Sequence, residues 1–219
     1  MRFGYLIEAA AVGVVGLMAC PVLQAQNLLS NPGFETGNFS GWTLSGSTAF
    51  EGVSPSFATV PNSGAYSAFF GAVGTYNIIS QTISTTPGDI YNLSFFLDNS
   101  GGPYSEAFVD WGGTQVWDVQ PSHTFGWNQF GVELTATGAS TTVSFGFEQV
   151  PSYFNLDDTS LIDLSANPSV TPYVKTTIID DGPDGDQKVP DHGLGIWVTT
   201  ATFLGLCAVA GLRRHRQAA

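Results

Sequence analysis

The chain has 219 residues and a net charge of −12, with 6 Lys and Arg against 18 Asp and Glu. Between Asn27 and Val174 there is no Lys or Arg at all, and nucleic acid is excluded as a partner because binding it requires cationic side chains that displace counterions. Cys20 and Cys207 both fall in apolar segments near the ends, so the region between them has neither a disulfide nor a cysteine nucleophile and must be stabilised by burial.

At the start, Arg2 precedes an uncharged run from Ala9 to Ala19, and Leu23-Gln24-Ala25 offers a small residue before a cut ahead of Gln26. This predicts a secretory signal peptide over 1–25. Leu17-Met18-Ala19-Cys20 leaves a lipoprotein signal as the other reading.

From Asn27 onward no window of helical length keeps a 3.6-residue apolar period, and short apolar runs alternate with Gly, Pro, Ser, Thr and Asn clusters. The pattern predicts an all-β domain over 26–166, with strands at 67–70, 77–84, 90–98, 107–111, 114–119, 128–137, 141–148 and 157–163. About eight strands favour two packed antiparallel sheets, a β-sandwich. Alternation assigns Tyr91, Leu93, Phe95 and Leu97 to one core-facing stripe, Phe130, Val132 and Leu134 to another, and Val143, Phe145 and Phe147 to a third. Thr86-Pro87-Gly88-Asp89 reads as a turn.

Asn27-Leu28-Leu29-Ser30-Asn31-Pro32-Gly33-Phe34-Glu35 with Gly41-Trp42, the phrase Ser80 to Asn99, and Leu156-Asp157-Asp158-Thr159-Ser160-Leu161 resemble the opening, middle hairpin and last strand of galactose-binding-like jelly rolls. That fold is shared by many carbohydrate-binding modules, and the resemblance implies a jelly-roll β-sandwich from Asn27 to about Leu164. It also implies a structural calcium where the first strand meets the last, with Glu35 and Asp157 or Asp158 at the matching positions. Calcium takes six to eight oxygen ligands, and strict alternation along a strand would turn only one of the two Asp inward.

Sugar binding needs exposed aromatic faces beside hydrogen-bonding side chains. Tyr104, Trp117, Tyr153 and Phe154 are the candidates, Tyr104, Tyr153 and Phe154 because they stand beside Pro and Gly in expected loops, whereas Trp42 and Trp127 read as core. For catalysis the signals are poor. Neighbouring Asp157 and Asp158 diverge on a regular strand, His123 stands in a Pro-Ser-His-Thr loop, and no GxSxG elbow, HExxH helix or phosphate-cradling loop is present. The expectation is a non-catalytic binding protein. A structural or adhesive matrix protein is the alternative, with a glycoside hydrolase third.

Residues 167–188 carry Pro168, Pro172 and Pro183 and the acidic phrase Asp180 to Asp186, the composition of an extended linker. Val189-Pro190-Asp191-His192-Gly193 follows, then an uncharged apolar run over 194–212, then Arg213, Arg214 and Arg216. The run is long enough for a membrane-spanning helix, and the Arg cluster holds its end on the cytoplasmic side, which puts the β domain outside. A plain single-pass anchor is one reading. The order of motif, helix and basic cluster over 189–216 also resembles the PEP-CTERM class of bacterial sorting signals, in its VPD-x-G variant. This resemblance implies that Val189, Pro190, Asp191 and Gly193 are substrate residues for an exosortase-type processing enzyme. It further implies export, inner-membrane anchoring before processing, and then a cell-surface or extracellular location.

Overall fold

The computed structural model describes residues 25–101 and 104–176. The chain divides into two units, Met1–Val189 and Pro190–Ala219, and every described residue is in the first. Nearly all of the expected signal peptide, the acidic part of the linker, the sorting motif at Val189, Pro190, Asp191 and Gly193, the apolar run and Arg213, Arg214 and Arg216 lie outside the described residues.

Ten strands follow one another: β1 Thr43–Gly46, β2 Glu51–Ser54, β3 Ser67–Phe70, β4 Asn77–Ser84, β5 Ile90–Asn99, β6 Tyr104–Trp111, β7 Thr114–Val119, β8 Phe125–Thr135, β9 Ser140–Val150 and β10 Phe154–Asp163. They form two five-stranded antiparallel sheets, sheet A in the order β1-β4-β9-β6-β7 and sheet B in the order β2-β3-β10-β5-β8. Among the described residues there is no helix.

The eight strands legible in the sequence are all present, three with the expected bounds. β1 and β2 are additional. Each has four residues, β1 fully exposed and β2 half-buried, so neither shows the apolar alternation by which a strand is recognised. Register with β4 and β3, set by the longer strands, decides their pairing.

The core lies between the sheets. Phe70 of β3 stacks on Phe147 of β9 at 4.3 Å between ring centroids, and Phe95 of β5 meets Phe145 of β9 edge-on at 5.2 Å. The three expected stripes supply this layer, with Val132 only partly buried. Each fully buried Phe contributes roughly 1.5–3 kcal/mol relative to exposure. Phe34 and Trp42, from the opening motif, stack on each other at 5.8 Å and close the core over Phe145. The expected turn forms: Asp89 N–H donates to the Thr86 carbonyl at 3.1 Å, and Gly88 has a φ of 90°, a conformation that disfavours any side chain.

The N-terminal segment runs beside the last strand. Leu28 N–H donates to the Leu161 carbonyl at 2.8 Å and Thr159 N–H to the Pro32 carbonyl at 2.9 Å. At the other end the chain remains hydrogen-bonded to the sandwich into the stretch whose composition reads as linker. Gly131 and Lys175 exchange backbone hydrogen bonds of 2.9 and 3.0 Å along the free edge of β8, and Asn92 of β5 both donates to and accepts from the Tyr173 backbone.

Candidate functional site

Because side chains alternate across a strand, each sheet has a core face and an outer face. On sheet A the outer face carries Tyr104, Glu106, Phe108 and Asp110 from β6, Ser144 and Glu148 from β9, Asp118 from β7, and Tyr76 at the entrance to β4. Their core-side neighbours Ala107, Val109, Phe145, Phe147, Trp117 and Val119 are all buried. Register places Glu148 directly opposite Glu106, Gly146 opposite Phe108 on one side, and Asp118 opposite Phe108 on the other.

Glycine at 146 is what allows an aromatic ring to rest on this face. A Cβ there would collide with the Phe108 ring, so its absence makes the seat. Tyr76 meets Phe108 edge-on at 5.1 Å, and its hydroxyl donates to Glu106 Oε2 at 2.8 Å. The hydrogen bond to Glu106, then burial, then the charges of Glu106 and Glu148 push the Tyr76 phenol up to about 12. Glu148 Oε1 accepts from Gly74 N–H at 2.8 Å, which brings the 71–76 loop over the end of the face. Burial raises the Asp110 carboxyl above its ordinary value. The result is a partly exposed aromatic ring flanked by carboxylates, with Tyr104, 76% exposed, in line with it at the start of β6. Such a surface can stack a pyranose ring and accept hydrogen bonds from its hydroxyls.

The four expected aromatic candidates separate. Tyr104 belongs to this face. Tyr153 packs in the notch above Gly71, against Phe57 at 4.7 Å and Phe69 at 5.6 Å, on the outer side of sheet B. Trp117 and Phe154 are corrected to core residues, 5% and 0% exposed. Trp117 is wedged between Phe95 and Phe130 at 5.1 and 5.0 Å, and Phe154 begins β10 and is turned toward Phe147. For Phe154 neighbouring Pro and Gly suggested a loop, and Trp117 was expected within a strand; the register of β7 and β10 turns both rings inward. Trp127 differs too: it is only half-buried, and its indole N–H donates to the Val60 carbonyl at 2.9 Å. Phe108 and Tyr76 escaped sequence reasoning, although the alternation Glu106-Phe108-Asp110 against buried Ala107 and Val109 carried the signal.

Glu35, Asp157 and Asp158 gather around the 62–66 loop. Asp157 Oδ2 accepts from the N–H groups of Asn62 at 2.9 Å and Ser63 at 3.2 Å, and its Oδ1 from Asp158 N–H at 2.8 Å. Asp158 accepts from the Asn62 amide at 2.8 Å and the Ser63 hydroxyl at 2.7 Å, while Glu35 binds the N–H groups of Ala65 and Tyr66. The two Asp therefore reach the same loop. A β-bulge between Asp157 and Ser160, with Asp158 at a φ of 47°, breaks the alternation that would have turned them apart. Asp157 is fully buried, and desolvation, opposed in part by the Ser63 N–H and reinforced by the charge of Asp158, pushes its carboxyl up to about 7.

These hydrogen bonds engage every oxygen of the three carboxylates, and among the described residues no three acidic, His or Cys side chains converge on a metal position. As arranged, the three carboxylates anchor the loop through these donors, and a calcium ion sharing the same oxygens would raise the melting temperature when calcium is added.

Solved structures with this architecture include a carbohydrate-binding module of family 61, in complex with β-1,4-galactotriose. It is 21% identical, with a TM-score of 0.51 over 64% of this chain and 99% of that one. The CBM22-1 xylan-binding domain from Paenibacillus barcinonensis Xyn10C is 15% identical, with a TM-score of 0.44 over 64% and 95% of the two chains. The enzymatically active domain of bacteriophage CBA120 tailspike protein 4 is 16% identical, with a TM-score of 0.48, but the match covers only 21% of that chain against 63% of this one. No family model and no curated protein matches the sequence. The fold is thus a jelly-roll β-sandwich, shared with the structure of the galactotriose complex.

Proposed function

We propose that the protein is an exported, non-catalytic binder of extracellular polysaccharide and that the outer face of sheet A is where the glycan lies. The observation that carries this reading is the Phe108 ring seated over Gly146 with Tyr76 edge-on and carboxylates beside it, on a sheet face where Glu106, Phe108, Asp110 and Glu148 stay partly open to solvent. Shared fold with a galactotriose-binding module supports the class of ligand and nothing finer. Native affinity gels cast with soluble polysaccharides test it: the full chain should be retarded in at least one gel, and Phe108→Ala should migrate as in a blank gel. Retardation unchanged by Phe108→Ala would move the site elsewhere.

Export and processing belong to the same proposal and rest on the sequence at the two ends. In a host with an exosortase-type enzyme the chain should lose the tail beyond the Val189–Gly193 motif and leave the membrane fraction. In a strain lacking that enzyme it should stay intact and membrane-bound. A chain retained whole in both strains would leave a plain C-terminal anchor.

The second reading, an adhesive or matrix protein, draws on exposed Phe50 and Val73, 62% and 60% exposed, in loops that lead into β2 and β4. Concentration-dependent self-association abolished by Phe50→Ser would favour it.

A further inference from the structure

The charged groups around Phe108 are of one sign. Glu106 and Asp110 flank it along β6, Asp118 lies opposite it on β7, and Glu148 lies directly opposite Glu106 on β9. Like charges directly across a ladder are destabilising, and no Lys or Arg between Asn27 and Val174 offsets them. Lys175, the one Lys or Arg among the described residues, is on sheet B, where it donates to Asn128 Oδ1 at 3.0 Å and sits over the Phe130 ring. Ionised carboxylates only accept hydrogen bonds. A ligand stacked on Phe108 must therefore donate on both sides of the ring, and one with its own negative charges is repelled.

Neutral sugar hydroxyls satisfy the first condition, but Asn or Gln would serve them equally without the repulsion. A protonated amine presents three donors and a charge, and its hydrogen bonds to carboxylates are about twice as strong as neutral ones. It also gains from the negative faces of Phe108 and Tyr76.

Resting on the polysaccharide-binding reading above, we infer that this face takes glycans with free amino groups, hexosamine chains that are not N-acetylated, with a pyranose ring on Phe108 and an ammonium group between Glu106 and Glu148. Anionic glycans rich in uronic acid or sulfate are refused.

The test titrates the full chain with a glucosamine hexasaccharide, its fully N-acetylated counterpart and cellohexaose, at a pH where amines are protonated and carboxylates ionised. The free-amine chain should bind at least about tenfold tighter than the other two, with affinity falling as salt rises. Glu106→Gln and Glu148→Gln should each remove most of that advantage. Glu133→Gln, the same charge change on the outer side of sheet B, should keep it. Melting temperatures of all variants establish that they are folded. Equal affinity for the three oligosaccharides overturns this inference while leaving the polysaccharide reading intact, and binding to none of them also overturns it, the polysaccharide reading then standing or falling on the affinity gels alone. A loss in Glu133→Gln equal to that in Glu106→Gln also overturns it, since the attraction is then that of a diffuse acidic protein rather than of this face.

Discussion

The two outer faces of the sandwich come from the same alternation of side chains and end in opposite conditions. On sheet A, Glu106, Phe108, Asp110 and Glu148 are left partly open to solvent. On sheet B the corresponding polar positions Asn92, Asp98, Asn155 and Asp157 are buried: Asn62 and Ser63 sit on Asp157, residues 173–175 hold to β8 and β5 beside Asn92, and the Asn155 amide donates to Asp98. A polar side chain on a strand therefore has two fates. Covered by its own chain it must be hydrogen-bonded and becomes a structural anchor; left uncovered it is available to a ligand.

The sharpest way to break the contrast is at Asp157. Asp157→Ala strips acceptors from the N–H groups of Asn62, Ser63 and Asp158 in a buried place, and we expect a loss of about 2–4 kcal/mol in urea unfolding. Glycan binding on sheet A should be unchanged in the fraction that stays folded, as native gels would show.

Each face also has a glycine with something resting on it, and the two differ in what can move. At Gly131 a Cβ would strike the Tyr173 carbonyl, which is backbone held by Asn92, so Gly131→Ala should cost about 1–3 kcal/mol and speed proteolysis near Lys175. At Gly146 it would strike the Phe108 ring, a side chain free to swing outward. Gly146→Ala should cost less than about 1 kcal/mol in stability yet weaken glycan binding about tenfold, measured by titration. A large stability loss at Gly146 with binding intact would reverse the roles assigned to the two faces.

The smallest effect concerns pH. Glu51, on edge strand β2, has both carboxylate oxygens buried without a hydrogen-bond partner. The nearby Asn77 amide, which lowers its pKa somewhat, donates instead to the Ser47 and Ala49 carbonyls at 2.7 and 3.0 Å. Desolvation dominates and pushes the Glu51 carboxyl up to about 7. For an acid whose folded pKa is raised, the unfolded chain binds fewer protons than the native one, so stability is fully present at low pH and falls as pH rises through about 7. Glu51→Gln should flatten part of that fall in urea midpoints measured from about pH 4 to 9, leaving the remainder to Asp157.

Local pattern was enough for most of the architecture. Eight strands, three core stripes and the Thr86–Asp89 turn all follow from period-two alternation and turn chemistry, which act over a few residues, whereas the meeting of the opening motif with the last strand was implied only by the resemblance to galactose-binding-like jelly rolls. The same local rules failed at Asp158, where a bulge breaks the period, at Phe154, whose neighbours look like loop, and at Trp117, whose strand was legible but not which of its faces is core. They also passed over β1 and β2, which are strands only because β4 and β3 lie alongside.

By itself, then, the sequence determined an all-β domain with no Lys or Arg between Asn27 and Val174, because composition and alternation are properties of the chain whatever it folds against. Which aromatic is core and which is surface, and which polar face is left open, only the tertiary structure decided. Both depend on what lies over a residue: Phe108 rests on a glycine 38 positions away in sequence, and Asp157 is buried by a loop 94 and 95 positions before it. No local pattern records contacts of that range.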